Sequence, residues 1–208
     1  MSCTMSLRQA IVGQFKKPRG YLGSIAGWIM ANRRSNRERN HWTVDLLKVR
    51  PDDRVIEIGC GPGLALETCL LRAKRGQIVG LDHSQTMLDQ ARARNAKASQ
   101  EGRLDLRLGS LDDLPATIGS FDKAYSVNVV QFFPDQVAAF RKIHSLLKSK
   151  SVVATTYMPR TKNPSRADAF NVAEEVKQNM EIAGFTNIRI EELPMGPVPA
   201  VCIIGEHP

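Results

Sequence analysis

Three glycines spaced G-x-G-x-G close the segment Val55-Ile-Glu-Ile-Gly-Cys-Gly-Pro-Gly63, directly after an apolar run that carries one carboxylate, Glu57. Glycines in such a turn allow backbone conformations closed to other residues and let a ligand lie against the main chain at a helix N-terminus. Nineteen residues past Gly63, at the end of a second apolar run, stands Asp82. An acid at that point is placed to accept hydrogen bonds from ribose hydroxyls. The chemistry predicted is capture of a nucleoside cofactor in a crevice above strand ends.

The elements that must hold these residues can be read from apolar patterning. Arg54–Ile58 reads as a buried strand, and Leu64 to Arg75 as the helix after the glycine loop. Gln77 to Leu81 is a second strand. Ser84 is the N-cap of a helix running towards Ser99, with Met87, Leu88 and Ala91 on its inner face. Strands follow at Leu104–Leu108, with one face more exposed, and at Phe121–Val127, then a helix over Asp135 to Leu147 and a strand over Val152 to Tyr157. Strand alternating with helix at this spacing predicts an α/β domain, a parallel sheet covered on both faces. The end departs from that rhythm. A helix around Val172 to Ala183 stops at Gly184, and two runs follow, Thr186 to Glu191 and Ala200 to Gly205, joined by the proline-rich loop 193–199. No crossover helix fits in that loop, so the sheet is expected to finish with a reversed strand.

The glycine spacing also narrows the nucleoside. A dinucleotide fingerprint is G-x-G-x-x-G, whereas here Leu64 and Ala65 follow the third glycine. Glu57 would sit close to a pyrophosphate and repel it. A cationic ligand with a free amino group suits the carboxylate better, which fits S-adenosylmethionine with its sulfonium and ammonium.

With those residues in view, the chain resembles the class I S-adenosylmethionine-dependent methyltransferases, in particular their small-molecule group. The resemblance runs from about Val44 to the C-terminus. It is carried by Glu57-Ile-Gly-Cys-Gly-Pro-Gly63, Gly80-Leu-Asp-His-Ser84, Leu108-Gly-Ser-Leu-Asp-Asp-Leu-Pro115 and the segment Phe121 to Asp135. It implies a Rossmann-like, doubly wound and mostly parallel seven-stranded sheet with a reversed last strand. It further implies that Glu57, Gly59 and Gly61 line the methionine portion of the cofactor, that Asp82 holds the ribose, and that His83 and Met87 flank the adenine. Ser110 and Leu111 fall where the family often has Asp-Ala, and Asn128 falls near the methionine end and the reaction centre. Gln131 replaces a histidine found in many relatives, which leaves the catalytic base unassigned. Lys148-Ser-Lys-Ser151 stands where a Pro-Gly-Gly turn is usual.

Methyl transfer from a sulfonium is a direct displacement that needs the acceptor lone pair held in line, at about 3–3.5 Å. A good nucleophile can dispense with a dedicated base. His41, His83 and His144 are read as structural or surface residues rather than as a base.

Charge divides the chain. Residues 1–50 hold ten Lys/Arg against two Asp/Glu, and residues 51–208 hold nineteen of each, so the whole excess of +8 sits at the front. The expected organisation is a basic N-terminal helical cap or lid over 1–43 and the S-adenosylmethionine-binding domain over 44–208. In the front segment Leu22, Ile25 and Ile29 share a helical face beside Trp28, next to four arginines, Arg33, Arg34, Arg37 and Arg39. That pattern suits a lid presenting arginines to an anionic acceptor, an amphipathic helix on an anionic membrane surface, or a packed face with solvated arginines. Tyr21, Trp28, Arg33, Arg34 and Tyr157 are the candidates for the acceptor side.

The functional expectation is a methyltransferase acting on a small, anionic acceptor. The alternatives are a phospholipid N-methyltransferase at the membrane surface and a non-catalytic S-adenosylmethionine-binding sensor. Nucleic acid is disfavoured as a substrate: by resemblance, amino-directed nucleic-acid methyltransferases carry Asn/Asp-Pro-Pro-aromatic after strand four, and this chain reads Asn128-Val-Val-Gln131. Cys3, Cys60, Cys69 and Cys202 form no C-x-x-C pair and no metal-ligand spacing, so no metal is expected. The uncharged stretch Gly20 to Asn32 has 13 residues, short of the roughly 20 needed to span a bilayer. Met1–Phe15 lacks the apolar run of a secretory signal, so a cytoplasmic location, or one peripheral to a membrane, is expected.

Overall fold

The order of apolar runs produces a seven-stranded sheet ordered β3-β2-β1-β4-β5-β7-β6. The structure, a computed structural model, describes residues 34–208. In chain order the elements are α1 (Arg34–Leu47), β1 (Arg54–Ile58), α2 (Leu64–Arg72), β2 (Gln77–Asp82), α3 (Gln85–Arg94) and α4 (Ala96–Gln100). Then come β3 (Leu104–Leu108), β4 (Phe121–Val127), α5 (Gln136–Ser145), β5 (Leu147–Tyr157), α6 (Arg166–Ile182), β6 (Thr186–Leu193) and β7 (Ala200–Glu206). The pairs β1–β2, β1–β4, β2–β3 and β4–β5 are parallel, and β7 runs antiparallel to both β5 and β6. The reversed strand expected at the end of the chain is therefore β7, and it lies inside the sheet, with β6 at the edge.

Period-two alternation feeds two cores. Ile56 and Ile58 join Phe140, Ile143, Ala173, Val176 and Met180 of α5 and α6 on one face. Val55 joins Val44 and Leu47 of α1, Leu66 and Cys69 of α2, and Leu88 and Ala91 of α3 on the other. Cys60, Cys69 and Cys202 are buried free thiols, as small apolar cysteines should be.

Several boundaries differ from the sequence reading for identifiable reasons. The helix read as running from Ser84 towards Ser99 breaks at Asn95, whose Nδ2 donates to the Gly63 and Ala91 carbonyls and ties the glycine loop to α3. The last helix begins at Arg166, before Val172. Ser165 and Asp168 form a capping box there, a polar start signal that apolar periodicity does not register. It ends as expected at Gly184 (φ 102°), in a Schellman arrangement with Phe185 N–H to Met180 O and Gly184 N–H to Glu181 O. Lys148-Ser-Lys-Ser151, read as a turn, is part of β5. A register shift between Phe121 and Lys123 accommodates it, and Lys148 Nζ pairs with Asp122 at 2.8 Å while Lys150 N–H donates to His207 O. Helix α1 runs across residue 43 without a break. The front segment around Tyr21 and Trp28 lies outside the described residues. Among the described residues no helix is long and apolar enough to cross a membrane.

His144 in α5 stacks on His207 at 3.8 Å between ring centroids and meets Phe185 edge-on at 5.0 Å. Burial, then the positive charge His207 can carry, lowers the His144 pKa from its ordinary value. A group whose folded pKa is depressed favours the fold in its neutral form, so the stability it contributes is present above the ordinary histidine value and lost as pH falls below it. The melting temperature is expected to drop between about pH 7 and pH 5. His207→Ala should flatten that drop in a thermal melt series, and an unchanged slope would remove the pair from the acid response.

Candidate active site

In an open α/β sheet ligands bind beyond the carboxyl ends of strands, where neighbouring strands send their connections to opposite sides. Here that place lies between β1 and β4, since β1 leads outward through β2 to β3 while β4 leads the other way to β5. The glycine loop rises at this point. Gly59, Gly61 and Gly63 all have positive φ, at 69°, 52° and 77°. Gly59 N–H and Cys60 N–H both donate to the Leu81 carbonyl, which clamps the loop onto β2. A side chain on Gly61 would meet nothing within 4 Å among the described residues, so its backbone is uncovered by them.

Asp82 ends β2 and is 6% exposed. Its Oδ2 accepts from Gly61 N–H at 2.8 Å and its Oδ1 from Ser84 N–H at 2.9 Å. Burial raises its pKa, against those backbone hydrogen bonds, which favour the ionised form. The His83 backbone N–H acts on it in the same sense, and a carboxylate with about four acceptor positions keeps room for a further donor. Glu57, in register with Tyr125 across β1–β4, is buried and accepts a hydrogen bond from the Tyr125 hydroxyl at 2.9 Å. Burial pushes its carboxyl well above the ordinary range, the tyrosine opposing and the charge of Asp82 adding. Burial and Glu57 also raise the Tyr125 hydroxyl.

Asn128 follows β4 with φ 57°, a left-handed conformation that asparagine tolerates better than most residues. Its N–H donates to Thr156 O at 2.7 Å and its Oδ1 accepts from Met158 N–H at 2.8 Å. That leaves Asn128 Nδ2 buried without a hydrogen-bond partner among the described residues. Such a donor is rare enough in a folded protein to require an explanation. Gln131 donates to Asn128 O and is exposed.

The other predicted residues gather at the same end of the sheet to different degrees. His83 is half-exposed, its Nδ1 at 3.9 Å from Asp82 Oδ1. Met87 is buried in the first turn of α3. Ser110 follows β3, beside β2 through the Gly109 N–H to Asp82 O hydrogen bond, and its hydroxyl donates to Asp113 Oδ2 at 2.7 Å. The Leu111 side chain belongs to the core. Tyr157 ends β5, half-buried against the same core. Arg34 is exposed at the start of α1, and Tyr21, Trp28 and Arg33 lie outside the described residues. A cleft of about 370 Å³ runs along β3 between Leu106, Leu108, Leu114 and Pro115. It includes neither Asp82, Asn128 nor the glycines, so it is a groove beside the expected site.

Two residues escaped the sequence reading. Tyr125 is placed by strand register with Glu57, which one sequence does not reveal. Arg39 is buried in α1, and its Nη1 meets the Met158 sulfur at 2.9 Å. A signal for Arg39 existed: Arg39, Thr43 and Leu47 recur every four residues, and Leu47 is plainly an inward residue.

A methyltransferase-domain family model matches residues 55–150. The uncharacterized methyltransferase YdaC of Bacillus subtilis is 31% identical over 184 residues, covering 88% of this chain and 98% of its own. A 24-methylenesterol C-methyltransferase 2 of Oryza sativa is 27% identical over 150 residues, 69% of this chain, which spans only 41% of that longer relative. Among solved structures, a geranyl diphosphate methyltransferase in complex with S-adenosylmethionine superposes with a TM-score of 0.67 at 15% identity, over 95% of each chain. A glycine loop clamped to β2, an acid at the tip of that strand, a sheet with β7 reversed, and relatedness along nearly the full length of another methyltransferase agree with one another. The chain belongs to the class I S-adenosylmethionine-dependent methyltransferases.

Proposed function

We propose that this enzyme methylates a small, anionic acceptor held between the glycine-loop crevice and α1. The observation that carries the reading is the uncovered backbone of Gly61, whose N–H is held by the buried Asp82, with Asn128 next in the chain to the Val129 that packs against Gly59 and its Nδ2 without a partner among the described residues. These residues fit S-adenosylmethionine. Gly59, Gly61 and Glu57 would accompany its methionine portion, Asp82 its ribose, and His83, Met87, Ser110 and Leu111 its adenine, with Asn128 near the methionine end. Held by these residues, S-adenosylmethionine would supply an electrophilic methyl group to the acceptor's lone pair.

The chain's part is positional. The hydrogen bonds from Gly61 and Ser84 hold the Asp82 carboxylate before any ligand arrives, so little ordering is left for binding to accomplish. Buried beneath the loop, Glu57 favours a cation over an anion in the crevice. Because its carboxyl is raised and a cationic ligand prefers it ionised, binding of S-adenosylmethionine is expected to tighten as pH rises above the ordinary carboxylate range, then level off. Glu57→Gln should remove that pH dependence of Kd, and a variant that retains it would take Glu57 out of the cation's surroundings.

Titration calorimetry with S-adenosylmethionine, S-adenosylhomocysteine and NAD in parallel tests the crevice. Binding of the first two and not of NAD is expected, followed by turnover with a carboxylate- or phosphate-bearing acceptor from a panel. Turnover confined to uncharged acceptors would defeat the anionic part of the proposal.

A further inference from the structure

Arg39 is 2% exposed, yet the two side chains that its guanidinium contacts, Asn36 and Met158, are neutral. Its Nη2 donates to Asn36 Oδ1 on the same helix, its Nη1 meets the Met158 thioether, and its Nε is buried with no partner among the described residues. A thioether is a weak acceptor. Among the described residues no carboxylate forms an ion pair with Arg39. Burial, and after it the charge of Arg160, lowers the guanidinium to about 9, which leaves it charged at neutral pH. Residues 1–33 contain no Asp or Glu, so no side chain of that segment can supply the missing negative charge. A buried cation without a counter-charge is strongly unfavourable.

Its position is as informative as its charge. Arg39 and Thr43 lie one turn apart on α1. Thr43 Oγ1 is 2.6 Å from Thr156 Oγ1 near the end of β5, and Arg39 reaches Met158 just beyond it. Asn128 holds the same Met158 through its backbone N–H. Two buried donors lacking acceptors among the described residues, Arg39 Nε and Asn128 Nδ2, thus belong to residues that grip Met158 at the carboxyl ends of β4 and β5.

Building on the crevice proposed above, we propose that Arg39 and Asn128 together receive a ligand carboxylate, with the guanidinium as its counter-charge and the two unpaired N–H groups as donors. A single planar cation matches a carboxylate in charge and geometry. The carboxylate belongs either to the acceptor or to the amino-acid end of the cofactor, and both sources bring the same chemistry to the same place.

The test compares the parent protein with Arg39→Met and Arg39→Lys, using S-adenosylhomocysteine, 5′-methylthioadenosine (which lacks the amino-acid end) and formate, with chloride as the ionic-strength control. If the carboxylate is the acceptor's, formate binds the S-adenosylhomocysteine complex of the parent and is lost in Arg39→Met. If it is the cofactor's, Arg39→Met weakens S-adenosylhomocysteine roughly ten- to hundredfold and leaves 5′-methylthioadenosine unchanged. Formate then binds the 5′-methylthioadenosine complex alone. In both cases ligand-free Arg39→Met melts no lower than the parent, because an uncompensated buried charge has been removed. Arg39→Lys keeps the charge without the fork and should retain part of the affinity that Arg39→Met loses; a methionine variant that melts well below the parent overturns the proposal. Equal weakening of both nucleosides overturns the proposal, and so does unchanged affinity together with no formate binding. Failure of the crevice reading gives a different result: neither nucleoside would bind the parent protein.

Discussion

Asp82→Ala is expected to weaken S-adenosylmethionine binding by about 1.5–3 kcal/mol, roughly ten- to 150-fold in Kd, while the protein stays folded. The effect has two sources. One, on the crevice reading proposed above, is the loss of a charged acceptor for the ribose hydroxyls. The other is the release of the glycine loop, because Asp82 Oδ2 is the acceptor for Gly61 N–H, and Oδ1 serves Ser84 at the start of α3. A double-mutant cycle separates them: Asp82→Ala against the parent protein, each titrated with S-adenosylhomocysteine and its 2′-deoxy analogue. Direct ribose contact makes the two losses non-additive, because either change removes the same interaction. Full additivity would leave Asp82 as a loop tether only, and an unchanged Kd for the natural ligand would remove it from the site. Asp82→Asn sharpens the comparison. The amide can accept from one of the two backbone donors but presents N–H to the other, so it should fall between aspartate and alanine.

The path from patterning to fold was short wherever burial set the pattern. β1 and β2 are buried along almost their whole length, and such strands read as continuous apolar runs. Boundaries were less legible where polar side chains do the structural work. Asn95 ends α3 by bonding to the Gly63 and Ala91 carbonyls, and Ser165 and Asp168 start α6 before its apolar face begins. The 148–151 segment of β5 carries exposed lysines and serine that only their partners, Asp122 and the C-terminal residues, mark as strand.

The site divides along the same line. Gly59, Gly61, Gly63 and Asp82 are legible because local backbone geometry dictates their type, and they lie close in sequence to the strands that position them. Arg39 and Tyr125 owe their places to contacts across 119 and 68 positions in sequence, with Met158 and Glu57 respectively. Nothing local distinguishes Arg39 from Arg34, which ends up exposed on the same helix. Only the inward phase of α1, carried back from Leu47, separates them.

A matched pair of glycine substitutions should divide binding from folding within one loop. Gly61→Ala and Gly63→Ala both force alanine into a left-handed conformation, a strain of about 1–2 kcal/mol each. Their surroundings differ. A Cβ at Gly61 meets nothing within 4 Å, whereas one at Gly63 lies 2.9 Å from both the Cα and Cβ of Ala91 and 2.8 Å from Asn95 Nδ2. The Ala91 Cα is backbone, so relief would require α2 to draw away from α3. Overpacking of that kind adds about 1–3 kcal/mol. Gly63→Ala is therefore expected to lose about 2–5 kcal/mol of stability in denaturant titration. Gly61→Ala should lose no more than the strain, yet its methyl group occupies the open floor where the cofactor would lie. Its Kd for S-adenosylmethionine is expected to rise roughly ten- to hundredfold. If Gly61→Ala binds as the parent does, the crevice lies elsewhere on the sheet edge; if Gly63→Ala is as stable as Gly61→Ala, the contact with Ala91 is looser than its distance implies.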